Sequence, residues 1–273
     1  MGKLTSYDSE TRLTDGDIII IDGEKGTRKM SVEDAAIEFA GMISPEMHRN
    51  IYRGKFLGSS VTESQKAAIQ NGSFDDLYIG DYWTIGSVNY RIADMDYWLS
   101  CGDTSFNKHH LVMLPEKTLY NAAMNNENIT DGGYVNSKMR TENLAEAKTK
   151  ISSAFGDLVL TYRSYLTNAV SSGRPSGGAW MDASVELMSE AMVYGCHLFS
   201  PMGNGATIPA NHTIDKQQLS LFRLNPKMVN IRQTYWLRDV VSSAGFARVD
   251  GIGFAYFHGA SYSLGVRPVF PIG

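Results

Sequence analysis

Two adjacent histidines, two close aspartate pairs and two cysteines are the residues of this sequence whose types invite chemistry. His109-His110 offers imidazole nitrogens, common ligands of zinc. Neighbours on a strand point to opposite faces, and no third ligand stands at readable spacing, so a structural or surface role is expected for the pair. Asp75-Asp76 and Asp94-x-Asp96 are paired carboxylates of the kind glycosidases use. At turns such pairs serve more often as hydrogen-bond acceptors, the role expected here. Cys101 and Cys196 lie far apart without C-x-x-C spacing, which excludes a disulfide scaffold and predicts two buried, reduced thiols. Nucleotide and protease motifs fail in detail. Gly259-Ala260-Ser261-Tyr262-Ser263 begins like a nucleophile elbow but lacks the second glycine, and Tyr256 stands where Gly251-Ile252-Gly253 would need its third.

The elements that must position these residues read as follows. Thr14-Asp15-Gly16-Asp17 precedes a strand at Ile18 to Ile21, a turn-rich loop follows, and Thr27 to Met30 forms a second short strand. Ser31 is placed to cap a helix running to about Ala40, which Ser44-Pro45 breaks. Such a segment is too small to close its own core; it either docks on the main domain or serves attachment or oligomerisation. Thr62 to Gln70 carries a capping box, Thr62 with Gln65, and Gly72 past its end. Tyr78 to Ile85 and Val88 to Ile92 flank Gly86-Ser87, a loop suited to a type II′ hairpin, and Leu111 to Leu114 adds a strand. Leu144, Ala147, Ile151 and Phe155 define one amphipathic helix ended by Gly156; Val185, Met188, Met192 and Cys196 define a second, with Asp182 near its start. The methionines of that face are expected to fill core rather than line a groove. Residues 171–178 between the helices read as an exposed loop, and the chain after Ser200 as largely irregular. Two principal helices and about eight short strands make an α+β domain dominated by loops and antiparallel strands.

Composition sets the outer limits. The 273 residues are 43 % apolar and 20 % charged, enough for a sizeable core and too apolar for disorder. A net charge of −4 argues against a general nucleic-acid partner, which needs a basic face. No apolar run approaches a membrane span; the longest is Ile18 to Ile21. The N-terminus lacks the pattern of a secretory signal, so the three N-x-S/T sequons at Asn71, Asn128 and Asn211 and the loose acylation pattern at Gly2 read as chance.

The Gly and aromatic excess concentrates in the last forty-odd residues. Two framework blocks, Trp236-Leu237-Arg238-Asp239 and Gly265-Val266-Arg267-Pro268, bracket a stretch in which small residues alternate with Phe246, Arg248, Asp250, Ile252, Phe254, Tyr256, Phe257, His258 and Tyr262. Core strands prefer Val, Ile and Leu and rarely carry so many glycines. Aromatics on an adaptable Ser/Gly backbone suit a recognition surface.

These two blocks and the Gly/Tyr-rich stretch between them resemble the C-terminal region of C-type lectin-like proteins. More narrowly, the tail resembles the variable proteins diversified by retroelements, including phage tropism determinants; the related formylglycine-generating-enzyme-like fold ends on a similar G-V-R-P block. Residues 13–40 are similar to the start of phage tail-fibre proteins. The resemblance implies an N-terminal attachment or oligomerisation module (1–46) and a C-type lectin-like ligand-binding domain (47–273) with a variable-type region at 230–273. It implies a non-enzymatic homotrimeric adhesin of a phage tail, made in the bacterial cytoplasm, seated among other tail proteins and bound to a host-surface protein or glycan. Trp236, Leu237, Gly265, Val266, Arg267 and Pro268 would be scaffold. Arg232, Gln233, Tyr235, Arg248, Asp250, Ile252, Phe254, Tyr256, Phe257, His258 and Tyr262 would face the ligand. The calcium-binding triplets of sugar-binding lectins are absent, so no metal and no cofactor are implied. The alternatives are an enzyme on the same scaffold, either a formylglycine-type oxidase or a glycan hydrolase using Asp94 and Asp96, and a structural virion protein without a receptor.

Overall fold

A computed structural model describes residues 18–23, 26–32, 35, 44–201 and 217–273 of the chain. The chain divides into two units, Met1–Ser44 and Pro45–Gly273. In the first, β1 (Ile18–Gly23) and β2 (Gly26–Ser31) form an antiparallel ribbon in the register Ile18↔Ser31 to Gly23↔Gly26, as a run of β-branched isoleucines favours. Ser31 closes β2, and the helix expected after it lies almost wholly outside the described residues.

Strands outweigh helices, 36 % against 21 %, so the fold is mixed but strand-framed. The second unit opens with α1 (Pro45–His48), β3 (Phe56–Gly58) and α2 (Glu63–Gln70). The capping box of α2 forms as its sequence dictates: Thr62 Oγ1 accepts the Gln65 N–H, and Gln65 Oε1 accepts the Thr62 N–H. That same Oε1 accepts the indole N–H of Trp83 at 3.1 Å, which ties the helix start to the sheet. β4 (Tyr82–Ile85) and β5 (Val88–Met95) pair through Ile85↔Val88 across Gly86 (φ +62), the hairpin that Gly86-Ser87 predicts. Tyr78 to Asp81 lead into β4 but are not part of it; Ile79 makes only an isolated bridge to Tyr52. β6 (Leu111–Pro115) and β7 (Tyr120–Ala122) follow, then a π-helical turn at Met139–Asn143 running into α3 (Leu144–Phe155). Leu144, Ala147, Ile151 and Phe155 are all buried, the face their spacing predicts.

The next stretch departs from the sequence expectation. β8 (Tyr162–Ser171) and β9 (Arg174–Ala183) form a ten-residue hairpin closed by Ser172 and Gly173, both at positive φ, where an exposed loop is expected. The helix expected from Val185 to Cys196 is instead β10 (Glu186–Leu187) followed by the five-residue α4 (Glu190–Tyr194), capped by Ser189 and stopped by Gly195 at φ +82. Val185, Met188 and Met192 are core, as expected, although not along one helix. Asp182 belongs to β9 and pairs with Arg163 across the hairpin. α5 (Ser220–Leu224), β11 (Tyr235–Val240), β12 (Gly245–Val249), β13 (Ala255–Gly259), β14 (Leu264–Val266) and β15 (Pro268–Ile272) complete the unit. The glycine-rich residues 202–211, expected to be irregular, lie outside the described residues.

Two sheets carry the core. One runs β10-β15-β6-β5-β4-β3, so the last strand returns to pair with β6 through Phe270↔Met113. The other runs β13-β12-β11-β14-β7, antiparallel except for β11 beside β14. Trp83, Tyr90, Trp98, Phe222, Trp236, Phe246 and Phe270 are essentially buried in the core; Tyr90 stands edge-on to Phe155 and to Phe270 at 5.1 and 5.9 Å.

Candidate functional site

The carboxylates and histidines singled out by type are bound into the frame. Asp94 is fully buried; its oxygens accept from Arg49, from the Met95 N–H at 2.8 Å and from the Ser220 N–H at 2.9 Å. Asp96 accepts from His109 Nδ1 at 2.8 Å and from the His110 N–H at 2.9 Å. Asp75 accepts from the Ser73 hydroxyl, and Asp76 is held by Arg53 and Lys55. These are acceptor roles, as expected. The cysteines differ from expectation: Cys101 is half-buried with its thiol toward the Leu99 carbonyl, and Cys196 is exposed because Gly195 turns the chain outward. Among the described residues no three or more His, Cys, Asp or Glu side chains are placed to hold a metal ion.

His110 illustrates the structural role. Its Nε2 accepts the Trp98 N–H at 3.2 Å and its Nδ1 sits 2.9 Å from the Lys108 carbonyl, so the ring is neutral with the proton on Nδ1. Burial pushes its pKa down to about 4, against the opposing pull of the Lys108 carbonyl and Asp96. The folded pKa lies below the unfolded value near 6.5, so the unfolded chain binds the extra proton first and stability falls as pH drops from about 6.5 toward 4. The expected loss is on the order of 3 kcal/mol across that window. Urea unfolding at pH 7 and pH 4.5 should show it, and His110→Gln should flatten the difference.

The tail residues assemble differently. β13 is the outer strand of its sheet, held by Arg248↔Tyr256, Ala247↔Phe257 and Phe246↔His258. Tyr256 and Phe257 are 49 % and 38 % exposed, and their rings stack with centroids 5.2 Å apart. Arg248 lies over the Tyr256 ring at 5.1 Å, and the His258 ring lies 3.7 Å from Tyr262. Partial burial and Arg248 hold the His258 imidazole below its usual pKa.

The loop before β13 is built to display apolar groups. Asp250 Oδ1 accepts the N–H groups of Ile252 (2.9 Å) and Phe254 (3.0 Å), while the Asp250 N–H donates to the Phe254 carbonyl. Gly253 takes φ +95, and a Cβ there would come within 3.1 Å of Asn230, so only glycine fits. Tyr194 anchors the turn from beneath by donating to the Gly253 carbonyl at 3.1 Å; burial pushes its phenol far up, so it remains a donor. Ile252 and Phe254 are left 56 % and 67 % exposed.

Of the eleven residues expected to face a ligand, ten are at least partly exposed. Tyr235 is not. It is fully buried on β11, a central strand, with its hydroxyl donating to the Val229 carbonyl and near Arg267 Nη1. Arg232 and Gln233 are exposed in the bend before β11, although Gln233 Oε1 is engaged by the Thr118 N–H. The six framework residues expected to be scaffold, Trp236, Leu237, Gly265, Val266, Arg267 and Pro268, are all buried.

Phe199 joins this surface from outside the tail. Its ring meets Tyr256 at 5.5 Å and Phe257 at 5.8 Å, and Leu198 beside it is also exposed. Glu190 holds this turn, its buried carboxylate accepting the Leu198, Phe199 and Ser200 N–H groups and the Ser200 hydroxyl. No local pattern marks Phe199 as surface; only the folded chain brings it to β13. Comparison with protein-family models, curated proteins and solved structures found no match for the chain.

Proposed function

We propose that this chain is a non-enzymatic ligand-binding protein, a phage tail-fibre or virion adhesin, whose C-type lectin-like domain recognises a host-surface ligand through the β13 face. The observation that carries the reading is the exposed aromatic surface of Phe199, Tyr256 and Phe257, with Ile252 and Phe254 displayed on a loop pinned by Asp250 and Tyr194. Soluble chains seldom leave so many large apolar groups clustered in water without a partner. The return of β15 to β6 and the second sheet of short strands support the lectin-like assignment. The engagement of Asp94 and Asp96 within the frame supports binding over glycan hydrolysis. The first unit would attach the protein to other tail proteins and join three copies, so that weak single sites add through multivalency.

The test replaces Tyr256, Phe257 and His258 together by alanine and measures adsorption of labelled protein to a panel of intact bacterial cells. The rings are mostly solvent-facing, so the fold should persist while adsorption falls by at least about tenfold. A folded variant that adsorbs as the wild type, or a wild type that adsorbs to no strain, overturns the reading.

A further inference from the structure

The polar groups on this face that would order the hydroxyls of a sugar are already spent on the protein itself. Sugar sites pair an aromatic platform with free, fixed donors and acceptors, because each buried hydroxyl must find a partner. Here Asp250 Oδ1 is occupied by two backbone N–H groups, Gln233 Oε1 by Thr118, and His258 Nδ1 by the Gly259 N–H at 2.9 Å. Arg248 lies over the Tyr256 ring. What remains open is apolar: Phe199, Ile252, Phe254, Tyr256, Phe257 and Tyr262.

The charges left over have one sign. The chain as a whole carries −4, yet the bend at 230–234 and the neighbouring strands present Arg232, Arg248 and Lys117, the last reaching the Ile231 carbonyl at 2.7 Å. The one carboxylate in the displayed loop, Asp250, is turned inward to its own backbone. A complementary surface is apolar at its centre and acidic at its rim.

We infer that the ligand of this face is a protein surface with protruding apolar side chains beside one or more carboxylates, not a saccharide. The inference rests on the β13 face being the binding site. Aromatic anchors on a loop fixed by internal hydrogen bonds lose little entropy on docking and gain their energy from burying a partner's apolar groups. The flanking cations add steering and register.

The experiment uses the full-length protein and a bacterial strain that it labels. Cells are shaved with a broad protease, or their surface sugars are oxidised with periodate, before labelled protein is added. Protease is expected to remove about nine-tenths of the binding and periodate to change it by less than about twofold. A double variant, Arg232→Asn with Arg248→Gln, should bind untreated cells about tenfold more weakly while melting as the wild type does. Loss of binding to periodate, alone or together with protease, assigns the ligand to a glycan and overturns the inference. So does binding that survives both treatments, or a double variant that binds unchanged. The alanine triple on untreated cells separates the two claims: if it binds normally the face is wrong, whereas periodate-sensitive binding that the triple abolishes leaves the face and refutes the protein partner.

Discussion

Replacing Arg267 by alanine is expected to destabilise the second unit by about 4 kcal/mol, the sum of a lost buried side chain and two orphaned carbonyls. Arg267 stands between β14 and β15, where the chain leaves one sheet and enters the other. Its side chain is fully buried, yet no carboxylate pairs with it. Nε donates to the Pro115 carbonyl at the end of β6 (3.0 Å), and Nη1 donates to the Met228 carbonyl at 3.1 Å and lies 3.3 Å from the Tyr235 hydroxyl. The guanidinium plane sits near the rings of Tyr235 and Phe222, at 5.1 and 5.6 Å. Burial lowers its pKa, and Tyr235 pulls the other way. One planar fork therefore bridges both sheets and the segment before β11, a geometry lysine cannot copy. Arg267→Lys should recover about half of the loss, because an ammonium on a flexible stem reaches one carbonyl at a time. In thermal unfolding the alanine variant should melt roughly 10 °C lower. A urea midpoint within experimental error of the wild type would show that the sheets need no such bridge.

The same residue shows what the sequence makes readable. The Gly265-Val266-Arg267-Pro268 block stands out as framework, and the fold buries all four. Local signals behave likewise: the Thr62–Gln65 cap, the Gly86-Ser87 turn and the apolar stripe of α3 each depend on neighbours a few residues away. Signals set by distant partners are illegible. Ser176-Gly177-Gly178 reads as loop, yet Gly178 is small because the Tyr165 ring lies where its Cβ would be, 2.4 Å away, so the glycine serves a strand. The i, i+3, i+7 spacing from Val185 imitates a helix, but Glu186 and Leu187 pair with Val269 and Pro268 from the far end of the chain. Tyr235 shares the composition of the exposed tail and is buried because β11 lies inside its sheet. The candidate site was visible as a composition; which rings face water, and that Phe199 joins them, depends on strand order.

Glu190 is expected to couple stability to binding more strongly than any ring on the face. α4 is only five residues long, and after Gly195 the chain folds back so that three successive N–H groups, of Leu198, Phe199 and Ser200, point at one carboxylate at 3.2, 3.0 and 2.9 Å. The Ser200 hydroxyl donates to it at 2.5 Å and is itself 2.8 Å from His197 Nδ1. The Glu190 N–H in turn donates to Asp239 Oδ2 at 2.6 Å. Burial, countered by His197 and Arg238 and reinforced by the Glu190 charge, holds the Asp239 carboxyl above its usual pKa. Glu190→Ala strips the acceptor from four donors. Because Leu198 and Phe199 sit at the surface, the turn can open and give some of those donors to water, so the cost should be about 3 kcal/mol rather than the larger penalty of a sealed site. Opening moves Phe199 away from Tyr256 and Phe257, and cell binding should fall with it. Glu190→Gln keeps the shape but turns an amide NH2 toward backbone donors, and should lose about half as much. Phe199→Ala isolates the ring: it should weaken binding while costing less than about 1 kcal/mol, since the side chain is already 41 % exposed. Faster amide exchange at residues 198–200 in Glu190→Ala, with binding unchanged below its melting temperature, would separate the turn from the binding face. Loss of both together would make Glu190 the buried anchor on which the outermost aromatic depends.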